Sequence, residues 1–95
     1  MINGITEKER EIINNIINKY PYEFYAYGSR VKGDFTKGSD LDILIKYDNQ
    51  IPIKIIEELK LKFNESRIPY IVNIVIFNDI SDDFFNLIKK DLTRL

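Results

Sequence analysis

The stretch GSRVKGDFTKGSDLDILI, residues 28–45, decides how this chain is read. It opens on Gly28 directly after Glu23-Phe24-Tyr25-Ala26-Tyr27, a β-prone aromatic run that predicts a first strand. It closes on residues 41–47, whose alternation predicts a second strand with Leu41, Ile43 and Ile45 on one face. Asp40, Asp42 and Leu44 fall on the other face, so two carboxylates project together, ~7 Å apart along the chain. Carboxylates held side by side repel one another unless a cation lies between them, and sites for hard ions are built that way. At the other end of the stretch, a glycine lets the backbone come close to a ligand. The amides of Ser29 and Arg30, opening a short helix, can then receive a phosphate. A phosphate cradle facing a divalent-cation site suits a nucleoside triphosphate.

Outward from this stretch the chain reads as alternating elements. Thr6 and Glu9 form a capping box that starts a first helix, with Ile12, Ile13, Ile16, Ile17 and Tyr20 along one stripe. Pro52 opens a second long helix carrying Ile55, Ile56, Leu59 and Phe63. Residues 70–77 are almost continuously apolar and predict a third strand covered on both faces. Ser81 caps a last helix, with Asp82 and Asp83 in its first turn and Lys89, Lys90 and Arg94 near its end, the order the helix dipole favours. The order α-β-short α-β-α-β-α describes an α+β fold: a small mixed or antiparallel sheet with helices on one face. With 95 residues, one domain over 1–95 is expected.

Composition narrows the chemistry. There is no cysteine and no histidine, which removes thiol nucleophiles, His-based triads and zinc sites. A metal must sit on oxygen donors, which points to magnesium or manganese. Fourteen basic residues against fifteen acidic ones leave a net charge of −1, so strong nucleic-acid binding is not expected. Lys32 and Lys37 read as surface residues, and the tyrosines 20, 22, 25 and 27 as core edge and partner contact. No apolar run is long enough to span a membrane and the N-terminus has no signal-peptide pattern, so a cytoplasmic location is expected. Two better-known motifs fail. Asp34 stands where a P-loop after Gly28 and Gly33 requires lysine, and Leu44 and Ile51 occupy ligand positions of an EF-hand loop read from Asp40.

Gly28-Ser29-Arg30, Gly33 and Ser39-Asp40-Leu41-Asp42 followed by Ile43, Leu44 and Ile45 resemble the GSxxxG…SDxDL signature of the DNA polymerase β-like nucleotidyltransferases. Size and element order resemble the minimal nucleotidyltransferase group, often paired as antitoxin with a HEPN-domain toxin. The resemblance spans about residues 7–91 and implies a polymerase β palm-like core. It implies that Gly28 and Ser29, with Arg30 and Ser39, bind the nucleotide. Asp40 and Asp42 would ligate two magnesium ions bridging triphosphate and acceptor. The implied reaction moves AMP from ATP onto a hydroxyl of a HEPN-type partner, with pyrophosphate leaving. A binding module that neutralises its partner by contact, and transfer to a small antibiotic, are the alternatives. One position departs from the family: Asn73, in Val72-Asn73-Ile74-Val75-Ile76, stands where the third catalytic carboxylate is expected. An amide oxygen can coordinate a metal but carries no charge and cannot take a proton. Asp79, past the end of that strand, is not expected to replace it.

Overall fold

The computed structural model describes residues 2–36 and 38–95; Met1 and Lys37 lie outside them. Helix α1, Glu7–Ile17, starts at the Thr6 capping box: Thr6 Oγ1 accepts from the Glu9 amide at 3.1 Å, and Glu9 Oε1 accepts from the Thr6 amide. Strand β1 is Glu23–Tyr27, and helix α2, Ser29–Lys32, follows it after the single residue Gly28. Strand β2 is Leu41–Lys46, helix α3 is Ile53–Glu65 and strand β3 is Val72–Ile76. A 3-10 turn, Phe77–Asp79, leads into helix α4, Asp82–Ile88, whose N-cap Ser81 accepts from the Phe84 amide.

The sequence carries the last helix as far as Arg94, and here the structure differs. After α4 a 3-10 turn, Lys89–Asp91, ends the helical run, and Thr93–Arg94 forms a short strand β4. β4 pairs antiparallel with β1, Tyr25 opposite Arg94. The strand order is β3-β2-β1-β4; β1 and β2 are antiparallel, and β2 and β3 run parallel because α3 carries the chain back between them. The fold is α+β with a four-stranded mixed sheet.

Helices α1 and α3 cover one face. Ile13, Ile16 and Ile17 of α1 and Ile56, Leu59 and Phe63 of α3 pack on Phe24, Ala26, Leu41, Ile43 and Ile45. A helix layer on one face only is therefore incomplete, because α4 covers the other: Ile88 and Phe84 pack on Tyr27 and Leu44. The cause lies in the alternation itself. Tyr25 and Tyr27 of β1, Leu44 of β2 and Val75 of β3 make a second apolar strip that must also leave water. Among the described residues, no helix is long and apolar enough to cross a membrane.

Strand β3 departs from the reading in a second way. The central β2 has Leu41, Ile43, Leu44 and Ile45 fully buried, whereas every residue of β3 keeps some exposure. It is an edge strand, so its apolar character does not imply complete cover.

Candidate active site

Register brings the carboxylates to the head of the sheet. Tyr27 lies opposite Asp42 across β1 and β2, and Asp42 lies beside Asn73 across β2 and β3. The Asn73 side-chain amide donates to Asp40 Oδ2 at 2.9 Å and to Asp42 Oδ1 at 3.1 Å. Two carboxylate oxygens thus converge on one donor, at the place where a cation would offset their repulsion. The amide does part of that work by hydrogen bonding. No third Asp, Glu, His or Cys joins them among the described residues. A pair of oxygen donors converging on one point suits a hard divalent cation completed by water and phosphate oxygens.

Gly28 closes the site from the β1 side. Its φ of +84° and ψ of −157° lie in a region essentially reserved for glycine. A Cβ added there would overlap Oδ2 of Asp42. The backbone requires glycine, and a side chain there would also push the Asp42 carboxylate out of its place. The helical bonding of α2 begins with the amides of Val31 and Lys32, both on the Gly28 carbonyl at 3.0 Å. The amides of Ser29 and Arg30 open that turn, directly after the Gly28 backbone that lies against Asp42. Gly28→Ala is expected to destabilise the fold by ~1–3 kcal/mol and to abolish activity. Urea denaturation and a pyrophosphate-release assay check it; parent-like values in both would mean that the turn tolerates a side chain.

The Arg30 side chain is neither a phosphate contact nor a solvated charge. It is 1% exposed and turns away from the carboxylates into the loop. Nε and Nη2 donate to the Ser39 carbonyl at 3.1 and 2.9 Å, and Nη1 donates to the carbonyls of Asn3 and Gly4. Its guanidinium also stacks 4.0 Å from the Tyr70 ring centroid. Only its backbone amide remains for a ligand. Ser39 likewise serves the loop: its Oγ accepts from the Thr36 amide at 2.7 Å while its carbonyl receives Arg30. Asp79 lies in the 3-10 turn beyond β3 and does not join Asp40 and Asp42.

One neighbour of the site was not singled out for it from the sequence. Burial, and then the charge of Asp42, push the Tyr27 hydroxyl up to about 12, so it stays a neutral phenol beside the carboxylates. Alternation gives the signal, since Tyr27 immediately precedes Gly28 on the strand face that meets Asp42.

The profile of the nucleotidyltransferase domain matches residues 9–94. The chain belongs to the nucleotidyltransferase domain family. It is also 34% identical over 88 residues, 90% of this chain and 77% of the relative, to a Haemophilus influenzae protein described as "Probable protein adenylyltransferase MntA". A minimal nucleotidyltransferase of this kind transfers a nucleotidyl group, and the residues gathered around Asn73 are its candidate active site.

Proposed function

We propose that this nucleotidyltransferase moves AMP from ATP onto a hydroxyl of a partner protein, acting in the cytoplasm as the antitoxin of a HEPN-type toxin. The observation that carries the reading is the convergence of Asp40 and Asp42 on one point beside Gly28. The similarity to a protein described as a probable protein adenylyltransferase supports the choice of a protein acceptor. Asp40 and Asp42 would hold magnesium or manganese. When bound, the ion neutralises charge on the triphosphate and on the attacked phosphorus. Gly28 keeps the backbone low enough for the Ser29 and Arg30 amides to meet the phosphates, and the Ser29 hydroxyl lies at the same turn. The acceptor oxygen attacks the α-phosphorus in line, its proton leaves to solvent or phosphate, and pyrophosphate departs. Asn73 holds the two carboxylates together until a cation takes over that role. It cannot accept the proton of the acceptor.

The test is a mass gain of one AMP on the purified HEPN-type partner after incubation with ATP and magnesium. No gain, with neutralisation intact when Asp40 and Asp42 are both replaced by alanine, would favour the second reading, a module that acts by contact. Asn73, uncharged where the family resemblance expects a carboxylate, is the observation behind that second reading. Asn73→Asp is expected to raise the transfer rate by about 10²-fold, the usual contribution of one general base. Steady-state rates at saturating ATP measure it. An unchanged rate would show that position 73 does not stand for the third carboxylate.

A further inference from the structure

We propose that the acceptor polypeptide docks as an added strand on the outer edge of β3, laying its hydroxyl-bearing residue opposite Asn73. The proposal rests on the protein-acceptor reading above and names how that acceptor is held. The Leu41 amide donates to the Ile71 carbonyl at 2.8 Å, and Leu41 pairs with Val72 in a parallel ladder. In such a ladder alternate residues turn their backbone groups toward the neighbour, so Asn73 and Val75 bond β2. Val72 and Ile74 therefore aim their N–H and C=O groups away from the sheet, and Ile76 its N–H, the Ile76 carbonyl being taken by the 3-10 turn that it caps. Natural edge strands are blunted by charges, prolines or bulges, yet Val72–Ile76 carries no charge and no proline, and its register with β2 is unbroken over five residues.

The space beside this edge is already shaped. A groove of about 580 Å³ touches Ile74, Val75 and Ile76 in succession. Consecutive strand residues face opposite sides, so a groove reaching all three runs along the edge. On one side Ile53 and Ile56 of α3 line it together with Glu57 and Lys60, and on the other Ile80 lines it with Asn78 and Asp79. Ile53 is 74% exposed and Ile71, at the head of the same edge, is 63% exposed, both large apolar side chains left in water. An extended segment supplies what is missing: backbone partners for Val72, Ile74 and Ile76, and apolar side chains for the groove.

Position 73 decides the occupant. In an antiparallel added strand, the residue opposite Asn73 forms a non-hydrogen-bonded pair, with its Cβ ~5 Å from that of Asn73 and its side chain on the same face. That face holds Asp40 and Asp42. Its two neighbours turn toward α3 and the groove. The acceptor is thus an extended segment whose hydroxyl-bearing residue is flanked by apolar ones. A second copy pairing through the same β3 edge offers no hydroxyl there, because Val72–Ile76 contains no serine, threonine or tyrosine.

Amide exchange followed by NMR tests this with a synthetic nine-residue peptide: a central tyrosine flanked by valines, with lysines at both ends. In the chain alone, the amides of Val72, Ile74 and Ile76 should exchange at least tenfold faster than those of Asn73 and Val75. At saturating peptide they should be protected at least tenfold. Ile53→Lys should weaken peptide binding at least tenfold without changing the thermal midpoint. Protection of the three amides before peptide is added would overturn the proposal; if it rose with protein concentration, a second copy would be the occupant. Peptide binding that leaves them unprotected, or no binding, would overturn it too. Mass spectrometry of the same peptide with ATP and magnesium separates the two readings. Protection without AMP on the tyrosine counts against the protein-acceptor reading and supports the edge as a docking site. AMP on the tyrosine with the edge unprotected overturns the edge alone.

Discussion

Asp42→Asn is expected to cut nucleotidyl transfer by about 10³-fold, the upper range for removing one electrostatic contact to the reacting groups. The substitution keeps the shape of the side chain and removes its charge. Asp42 is the residue on which the site turns: it lies opposite Tyr27, beside Asn73 and against Gly28. Stability should move the other way. Asp40 and Asp42 share one amide donor, so removing one of two like charges relieves repulsion, and the thermal midpoint should stay level or rise. A lower rate with a higher midpoint separates a lost active site from a lost fold. Asp48→Asn, at an exposed carboxylate past the end of β2, serves as the control and should leave both unchanged. Transfer by Asp42→Asn within tenfold of the parent would mean that these carboxylates are not where the chemistry occurs.

How far the residues alone carry the structure depends on the range of the interaction that decides each feature. Helix α1 was legible to the residue at its start, because a capping box is a contact between Thr6 and Glu9. The placing of Asp40 and Asp42 on one side was legible from strand alternation. The meeting of Asn73 with both carboxylates was not, since it depends on β3 lying parallel to β2 with Asn73 level with Asp42. Only the resemblance pointed to that position. The end of α4 was missed for a related reason. Lys89, Lys90 and Arg94 are compatible with a helix, but Arg94 instead sits across from Tyr25, with its Nη1 at 3.5 Å from Glu23 Oε1. Pairing with β1 outweighed a weak local preference.

Arg30 is the clearest case of a residue whose type was informative and whose role was not. A basic residue after Gly-Ser invites a phosphate, yet the guanidinium is a fastener between two chain segments and an aromatic ring. It ties residues 3 and 4 to the carbonyl of Ser39, the residue before Asp40. Among the described residues no carboxylate answers its charge; three carbonyls and the rings of Tyr70 and Phe35 do, while the Tyr70 hydroxyl donates to Glu9 of α1 at 3.1 Å. Planarity is what permits this, because a guanidinium can stack and donate in several in-plane directions at once. A lysine at position 30 keeps the charge but not the fork, so it cannot reach Ser39 and the Asn3–Gly4 carbonyls together. Arg30→Lys is therefore expected to destabilise the fold by about 3 kcal/mol, through a buried charge that loses most of its hydrogen bonds. For a chain of this size that corresponds to a fall in thermal midpoint of more than ~12 °C. Transfer should also weaken at temperatures where the variant is still folded, because Ser39 would no longer hold Asp40 against Asn73. Urea and thermal denaturation give the first quantity and transfer rates well below the midpoint give the second. If Arg30→Lys instead lay within about 0.5 kcal/mol of the parent, as surface substitutions do, the guanidinium network would contribute little and the loop would owe its shape to Thr36 and Ser39.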